Sequence, residues 1–127
     1  MSGLDERGLP RGMLLNEDWE ITPRETRALL ADGARNALLL DCRTQEEFAR
    51  ARIEGALLVP LHEMGEAIED LREHAERTIV VHCHHGRRSL QAAAILRRAG
   101  FTDVRSMAGG IDLWSIDIDP GVPRYTK

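Results

Sequence analysis

The chain predicts an α/β protein in three layers, a central parallel sheet of about five strands with helices on both faces. Three observations point there. Short apolar runs alternate with amphipathic segments along most of the 127 residues. The runs Ala37-Leu38-Leu39-Leu40 and Ile79-Val80-Val81 are continuous rather than alternating, as in strands buried on both faces. Two intervening segments begin with a threonine followed three residues later by a glutamate, the spacing that starts a capped helix.

Residues 1–18 read as a flexible lead-in, with Gly3, Gly8, Gly12 and Pro10 and only Met13-Leu14-Leu15 to bury. Regular signals begin at Trp19 and define one domain over 19–115. Glu20-Ile21 suits a short strand. Thr22-Pro23-Arg24-Glu25 then opens a helix, with Thr22 as N-cap, Pro23 at the first helical position and Glu25 completing a capping box. Asp32-Gly33 should end it, Gly33 supplying a left-handed cap. A second strand leads into Asp41-Cys42, and Thr44 with Glu47 caps the helix that follows. Ala56-Leu57-Leu58-Val59 is a third strand. Met64, Ala67, Ile68 and Leu71 fall at helical spacing between Leu61 and His74. Thr78 to His82 is the fourth strand, and a helix runs from about Arg88 to Ala99, closed by Gly100. Asp103-Val104-Arg105 is a short fifth strand, and Gly109-Gly110 opens a last helix through Trp114. Residues 116–127 form a C-terminal extension packed on the domain, its course extended by Asp119-Pro120-Gly121-Val122-Pro123.

Composition narrows the class of function. A hydrophobic fraction of 43% and a charged fraction of 30% fit a globular protein of one core. The 17 basic and 21 acidic residues give a net charge of −4 with no basic tract, which argues against a nucleic-acid partner. No run approaches a membrane span and the N-terminus lacks signal-peptide features, so a cytoplasmic protein is expected. Lys127 is the lone lysine, leaving no candidate for Schiff-base chemistry. Cys42 and Cys83 are too few for a disulfide framework and form no Cys-x-x-Cys pair.

Chemistry concentrates at Cys83. It ends an apolar strand and is followed by His84-His85-Gly86-Arg87-Arg88-Ser89 and then by a helical segment. A thiol there meets the unpaired N–H groups and positive dipole end of the helix, conditions that lower its pKa and stabilise an anion upon it. Gly86 permits a loop conformation closed to other residues. Two arginines at a helix N-terminus carry an electrostatic cost that an anionic substrate would offset. Buried cysteines are more often simple packing residues, and Cys42 has no comparable setting. The run His82-Cys83-His84-His85 contains metal-ligand types, but consecutive side chains diverge, and His62 and His74 lie at no ligand spacing; no metal is expected. His84 and His85 instead shape the loop and help to set its charge near neutral pH.

The segment Cys83-His84-His85-Gly86-Arg87-Arg88-Ser89 resembles the active-site loop of rhodanese-like sulfurtransferases in its Cys-x-x-Gly-x-Arg-Ser form. Asp41-Cys42-Arg43-Thr44-Gln45-Glu46-Glu47-Phe48 resembles a further signature of that family. Ile53-Glu54-Gly55-Ala56 and the stretch from Met107 through Gly109-Gly110 to Trp114 follow in the family's order. The family's Gly-His before Ile53 is Ala51-Arg52 here, and its usual branched aliphatic residue is replaced by Cys42.

The resemblance implies a rhodanese-like fold and an enzyme without cofactor. In it the Cys83 thiolate takes the outer sulfur of thiosulfate or a related persulfide donor and passes it from a persulfide to cyanide or a thiol. Backbone N–H groups from His84 through Ser89 would cradle the persulfide, with Arg87 or Arg88 attracting a sulfonate. Asp41 and Arg43, by analogy, would brace the loop. The family's sheet order makes the strands ending in Cys42 and Cys83 neighbours, so that Cys42 is placed either to pack or to close a disulfide with a persulfidated Cys83. Rival readings remain: a sulfur-relay partner in cofactor biosynthesis, since the loop is similar to those attached to sulfur-carrier activating enzymes, and a non-catalytic interaction module, though inactive versions usually lose the cysteine. A dual-specificity phosphatase or arsenate reductase fits less well, since it needs arginine six residues after the cysteine, where Ser89 stands.

Overall fold

In the computed structural model, which describes residues 3–126, strands and helices alternate from Glu20 to Asp117. The strands are β1 (Glu20–Ile21), β2 (Leu38–Asp41), β3 (Leu57–Leu58), β4 (Ile79–His82) and β5 (Val104–Met107). The helices are α1 (Pro23–Ala31), α2 (Gln45–Arg50), α3 (Met64–Leu71), α4 (Arg87–Arg98) and α5 (Gly110–Asp117). All five strands are parallel, in the order β1-β5-β4-β2-β3. The predicted three-layer α/β architecture is present.

Strand periodicity sorts the core into two layers. Leu40, Cys42, Ile79, Val81, Cys83 and Val104 point to the face covered by α3 and α4, where Met64, Leu71, Ala92, Ala93 and Leu96 meet them. Ile21, Leu39, Val80 and Met107 point to the other face, covered by α1 and α5, and pack on Ile111 and Trp114. The chain leaves β2 toward β3 on one side and leaves β4 toward β5 on the other. The carboxyl ends of β2 and β4 therefore flank the point where the winding reverses, the usual ligand crevice of such sheets.

Both capping boxes form. Thr22 Oγ1 accepts the Glu25 N–H and Glu25 returns the bond to the Thr22 N–H, and Thr44 and Glu47 repeat the arrangement. Each N-cap contributes about 1 kcal/mol. Other local expectations differ in detail. Gly33 does not take the left-handed conformation; α1 stops because Asp32 Oδ1 accepts the Ala34 N–H and closes a side-chain turn, and Asn36 carries the positive φ of 50°. The helix expected over Leu61–His74 is α only from Met64 to Leu71, with 3₁₀ turns on either side. Its start is pinned by the Leu61 N–H bonded to the Cys42 carbonyl. β5 continues to Met107 because Ser106 and Met107 pair with β1.

In the N-terminal segment Leu9 supplies the buried anchor, and of the Met13-Leu14-Leu15 run only Leu15 is partly buried, against the same cluster. Leu9 is 2% exposed and packs on Ala108 and Leu113, whereas Leu14 is 91% exposed. Asp5 shapes this turn by accepting the Arg7 and Leu9 N–H groups. Arg24 ties it to the body of the domain through the Glu6 carbonyl and Asp117. At the other end, Val122 enters the core beside Trp114, and the chain continues to Tyr125 at the crevice. Among the described residues no helix is long and apolar enough to cross a membrane.

Candidate active site

β4 delivers Cys83 to the crevice, and the turn into α4 wraps its sulfur. The Gly86 N–H donates to Cys83 Sγ at 3.0 Å and the Ser89 N–H at 3.4 Å, with Ser89 Oγ also 3.4 Å away. Gly86 takes φ 109°, and a Cβ there would face the Gly109 N and Met107 O at 3.4 and 3.6 Å. The conformation, not the space, requires this glycine. Ser89 Oγ is in turn held by Ser106 Oγ on β5 at 2.7 Å.

The sulfur is thereby surrounded by donors. Cys42 contributes first, its thiol donating to Cys83; burial works the other way, and Ser89 and Gly86 add their bonds, holding the Cys83 thiol down at about 4. The same contact and burial push the Cys42 thiol up. The asymmetry follows from the backbone, because the loop N–H groups converge on Cys83 Sγ.

The Gly109-Gly110 pair brings α5 against this loop. The Ile111 N–H donates to the Cys83 carbonyl at 2.8 Å and the Asp112 N–H to the His84 carbonyl at 3.2 Å. The first turn of α5 thus spends two of its unpaired donors on the loop backbone. Gly110 has φ 61°, and a Cβ there would collide with the backbone of Cys83 and His84. Gly110→Ala should therefore lower stability by about 2–4 kcal/mol in urea denaturation. It should also slow alkylation of Cys83 in the fraction that stays folded. Unchanged stability would mean that the loop and α5 separate freely.

A second set of side chains buttresses the crevice. Arg43 is fully buried and forks onto Asp41, Nε to Oδ1 at 2.9 Å and Nη2 to Oδ2 at 2.6 Å. Its remaining donors reach the Ala51 carbonyl and Tyr125 Oη. Arg43 thus secures the end of α2 and the C-terminal tail, and through Tyr125 it reaches the loop: the Tyr125 ring stacks on His84 with centroids 4.2 Å apart. Tyr125 Oη donates to Glu47 Oε2 at 2.8 Å, and Arg88 grips both Glu47 oxygens at 2.6 and 2.9 Å. Burial opposes ionisation of Glu47, but Arg88, Tyr125 and Thr44 outweigh it and hold the carboxyl well below the usual range.

This arrangement redistributes the expected roles. The Arg88 charge is met by Glu47, so its cost at the helix N-terminus is already offset within the protein. Arg87 is exposed, lines the crevice and makes no ion pair among the described residues. Burial and the neighbouring His85 lower the His84 pKa and favour its neutral form. Arg52, at the position of the family's histidine, lies over the Phe48 ring. Glu47, Ser106 and Tyr125 were not singled out for the site by sequence. The capping box accounted for Glu47, Ser106 lay one residue beyond the strand end expected at Arg105, and only folding brings the tail to Cys83.

Cys83, His84, His85, Arg87, Arg88, Asp112, Arg124, Tyr125 and Thr126 line a cavity of about 560 Å³. Cys83 is 1% exposed at its floor. A thiolate held by backbone donors below the Arg87 guanidinium suits nucleophilic attack on a small anion or on the end of a larger one.

Known proteins share both fold and sequence. The model of the rhodanese-like domain matches residues 22–117. A probable adenylyltransferase/sulfurtransferase, MoeZ of Mycobacterium tuberculosis, is 38% identical over 107 residues, which are 83% of this chain and 26% of that protein. The chain therefore spans about a quarter of that relative's length. The thiosulfate sulfurtransferase GlpE of Ectopseudomonas mendocina is 32% identical over 79% of this chain and 87% of its own length. The human single-domain sulfurtransferase TSTD1 superposes with a TM-score of 0.67 at 33% identity, covering 75% of this chain and 93% of that one. With the parallel sheet, the Cys83 loop and the Gly109-Gly110 junction all in place, the match over 22–117 makes this chain a member of the rhodanese-like domain family.

Proposed function

We propose that the protein is a sulfurtransferase whose Cys83 carries a sulfane sulfur as a persulfide. The carrying observation is the convergence of the Gly86 and Ser89 N–H groups on Cys83 Sγ. The thiolate attacks the outer sulfur of thiosulfate; a Cys83–sulfur bond forms, the sulfur–sulfur bond of the donor breaks, and its electron pair leaves with sulfite. The terminal sulfur keeps the negative charge within reach of the loop donors. Cyanide or a thiolate then takes that sulfur, and the Cys83 thiolate returns. Arg87 at the rim attracts the sulfonate end, while Arg88, paired with Glu47, shapes the wall.

The test combines intact-mass measurement after thiosulfate with thiocyanate formation on adding cyanide, beside a phosphate ester. A chain heavier by one sulfur atom, with turnover to thiocyanate, supports the reading. Hydrolysis of the ester with no persulfide on Cys83 overturns it.

The depressed Cys83 pKa has a signed consequence. The thiolate is the form favoured in the fold, so reactivity is retained as pH falls below the ordinary thiol range and is lost only on passing through about 4. Iodoacetamide alkylation of Cys83 should be level between about pH 5.5 and 8. A midpoint near that of a free cysteine would refute the activation of this thiol.

A sulfur-relay role is a second reading of the same chemistry. It is favoured by the similarity to MoeZ, and to the adenylyltransferase and sulfurtransferase MOCS3-1 of Zea mays at 36% identity over 98% of this chain and 27% of that protein. The broad cavity, walled partly by the C-terminal tail, has room for the end of a partner polypeptide. Faster loading of Cys83 from a protein persulfide than from thiosulfate would select this reading.

A further inference from the structure

Two cysteines stand on neighbouring strand ends beside this crevice, and the reaction above uses only one. The register pairs Asp41 on β2 with His82 on β4, and their side chains meet at 3.6 Å on one face of the sheet. One residue further along each chain, Cys42 and Cys83 turn to the opposite face. Both are 1% exposed and belong to the same core cluster, with Leu40 and Val81 in the preceding row. The Cys42 N–H still donates to the His82 carbonyl at 3.0 Å, so the two backbones remain paired up to the cysteines. Adjacent strands lie about 4.8 Å apart, within the about 4.4–6.8 Å that a disulfide spans between Cα atoms.

Cys42 also has its own approach from outside. A second cavity of about 270 Å³ reaches it from the other side of Arg88, lined by Thr44, Leu61 and His62. This cavity and the substrate cavity share Arg88 as a common wall.

We infer that Cys42 is a resolving cysteine, which converts a Cys83 persulfide that finds no acceptor into a Cys42–Cys83 disulfide and free hydrosulfide. The inference rests on the persulfide proposed above. Cys42 Sγ attacks Cys83 Sγ; the bond between the two cysteine sulfurs forms and the bond to the terminal sulfur breaks. The electron pair of the broken bond leaves with the terminal sulfur, which takes the Cys42 proton and departs as hydrosulfide. The Cys42 sulfur is oxidised to the disulfide level and the departing sulfur is reduced to sulfide, so no outside oxidant enters. A small dithiol reductant, admitted through the second cavity, restores both thiols. Burial of the Cys83 persulfide slows attack by bulky thiols, and the neighbouring sulfur competes as an intramolecular nucleophile.

The experiment loads the reduced protein with thiosulfate under anaerobic conditions, removes the donor, and follows intact mass, released sulfide and the tryptic map of wild type and Cys42→Ala. In wild type the persulfide should decay to a species two hydrogens lighter than the dithiol, with one sulfide released per chain and the Cys42 and Cys83 peptides joined. In Cys42→Ala the persulfide should last about tenfold longer or more, with no joined peptide. A wild-type persulfide that is stable, or that decays without joining the two peptides, overturns the inference and leaves the sulfurtransferase reading standing. Equal lifetimes in the two proteins do the same. Absence of persulfide on both proteins overturns both. The joined peptide is read in wild type itself, so the result does not depend on the variant folding.

Discussion

Cys83→Ser should abolish sulfur transfer from thiosulfate to cyanide, lowering the rate by about 10⁴-fold or more, while leaving the fold intact. The two halves of this prediction have separate causes. A serine hydroxyl is not ionised near neutral pH and forms no persulfide, so the first bond of the reaction cannot be made. The space is nevertheless suited to an oxygen: the Gly86 N–H, the Ser89 N–H and Ser89 Oγ surround it as hydrogen-bond partners. The change in stability should stay within about 1 kcal/mol, the ordinary scale for a satisfied hydrogen bond. Thiocyanate formation and urea denaturation measured on one preparation separate the two effects. Transfer surviving within tenfold of wild type would move the chemistry to another residue.

Arg43→Ala should be the most destabilising substitution of a charged residue near the crevice, at about 3–5 kcal/mol. Both partners of the Arg43–Asp41 pair are completely buried. Removing the guanidinium leaves the Asp41 carboxylate in the interior with the Arg43 N–H and the side chain of His82 at 3.6 Å, and His82 is itself held toward its neutral form by burial. The Ala51 carbonyl and Tyr125 Oη lose a donor in the same step. A domain of this size has about 5–15 kcal/mol in all, so a large share of its stability is at stake. Arg43→Lys should recover little, because a single ammonium cannot reproduce a fork that also reaches Ala51 and Tyr125. Chemical denaturation of the two variants checks this. A loss below about 1 kcal/mol would show that water enters and solvates Asp41.

These effects differ in how visible they are in the chain itself. The Cys83 loop could be read directly because its parts are contiguous: a strand, a glycine able to take positive φ, and a helix N-terminus within seven residues. The capping boxes at Thr22 and Thr44 were legible for the same reason, since each donor and acceptor lie three residues apart. The end of α1 shows the limit of that logic. Asp32 and Gly33 both signal a stop, and the Asp32 side-chain bond, not the glycine's conformational freedom, carries it out.

Other site features involve residues distant in sequence. Glu47 meets Arg88 across 41 positions, and Tyr125 meets Glu47 across 78. Ser106 reaches Ser89 because β5 lies beside β4. Leu9 shows the same effect in the core: a lone leucine in a glycine-rich turn has no periodicity to announce it, yet it fills a gap beside Ala108 and Leu113.

By itself the sequence determined the class of fold and the two capped helix starts at Thr22 and Thr44, and it pointed to Cys83 for nucleophilic chemistry, because local hydrogen bonding and hydrophobic period act within a few residues. Only the tertiary structure decided that Arg88 is neutralised by Glu47, that His84 is buried under Tyr125, and that Cys42 and Cys83 share a row on one sheet face. Those outcomes depend on strand order and register, which are set by burying both faces of the sheet at once and not by any one segment's preference.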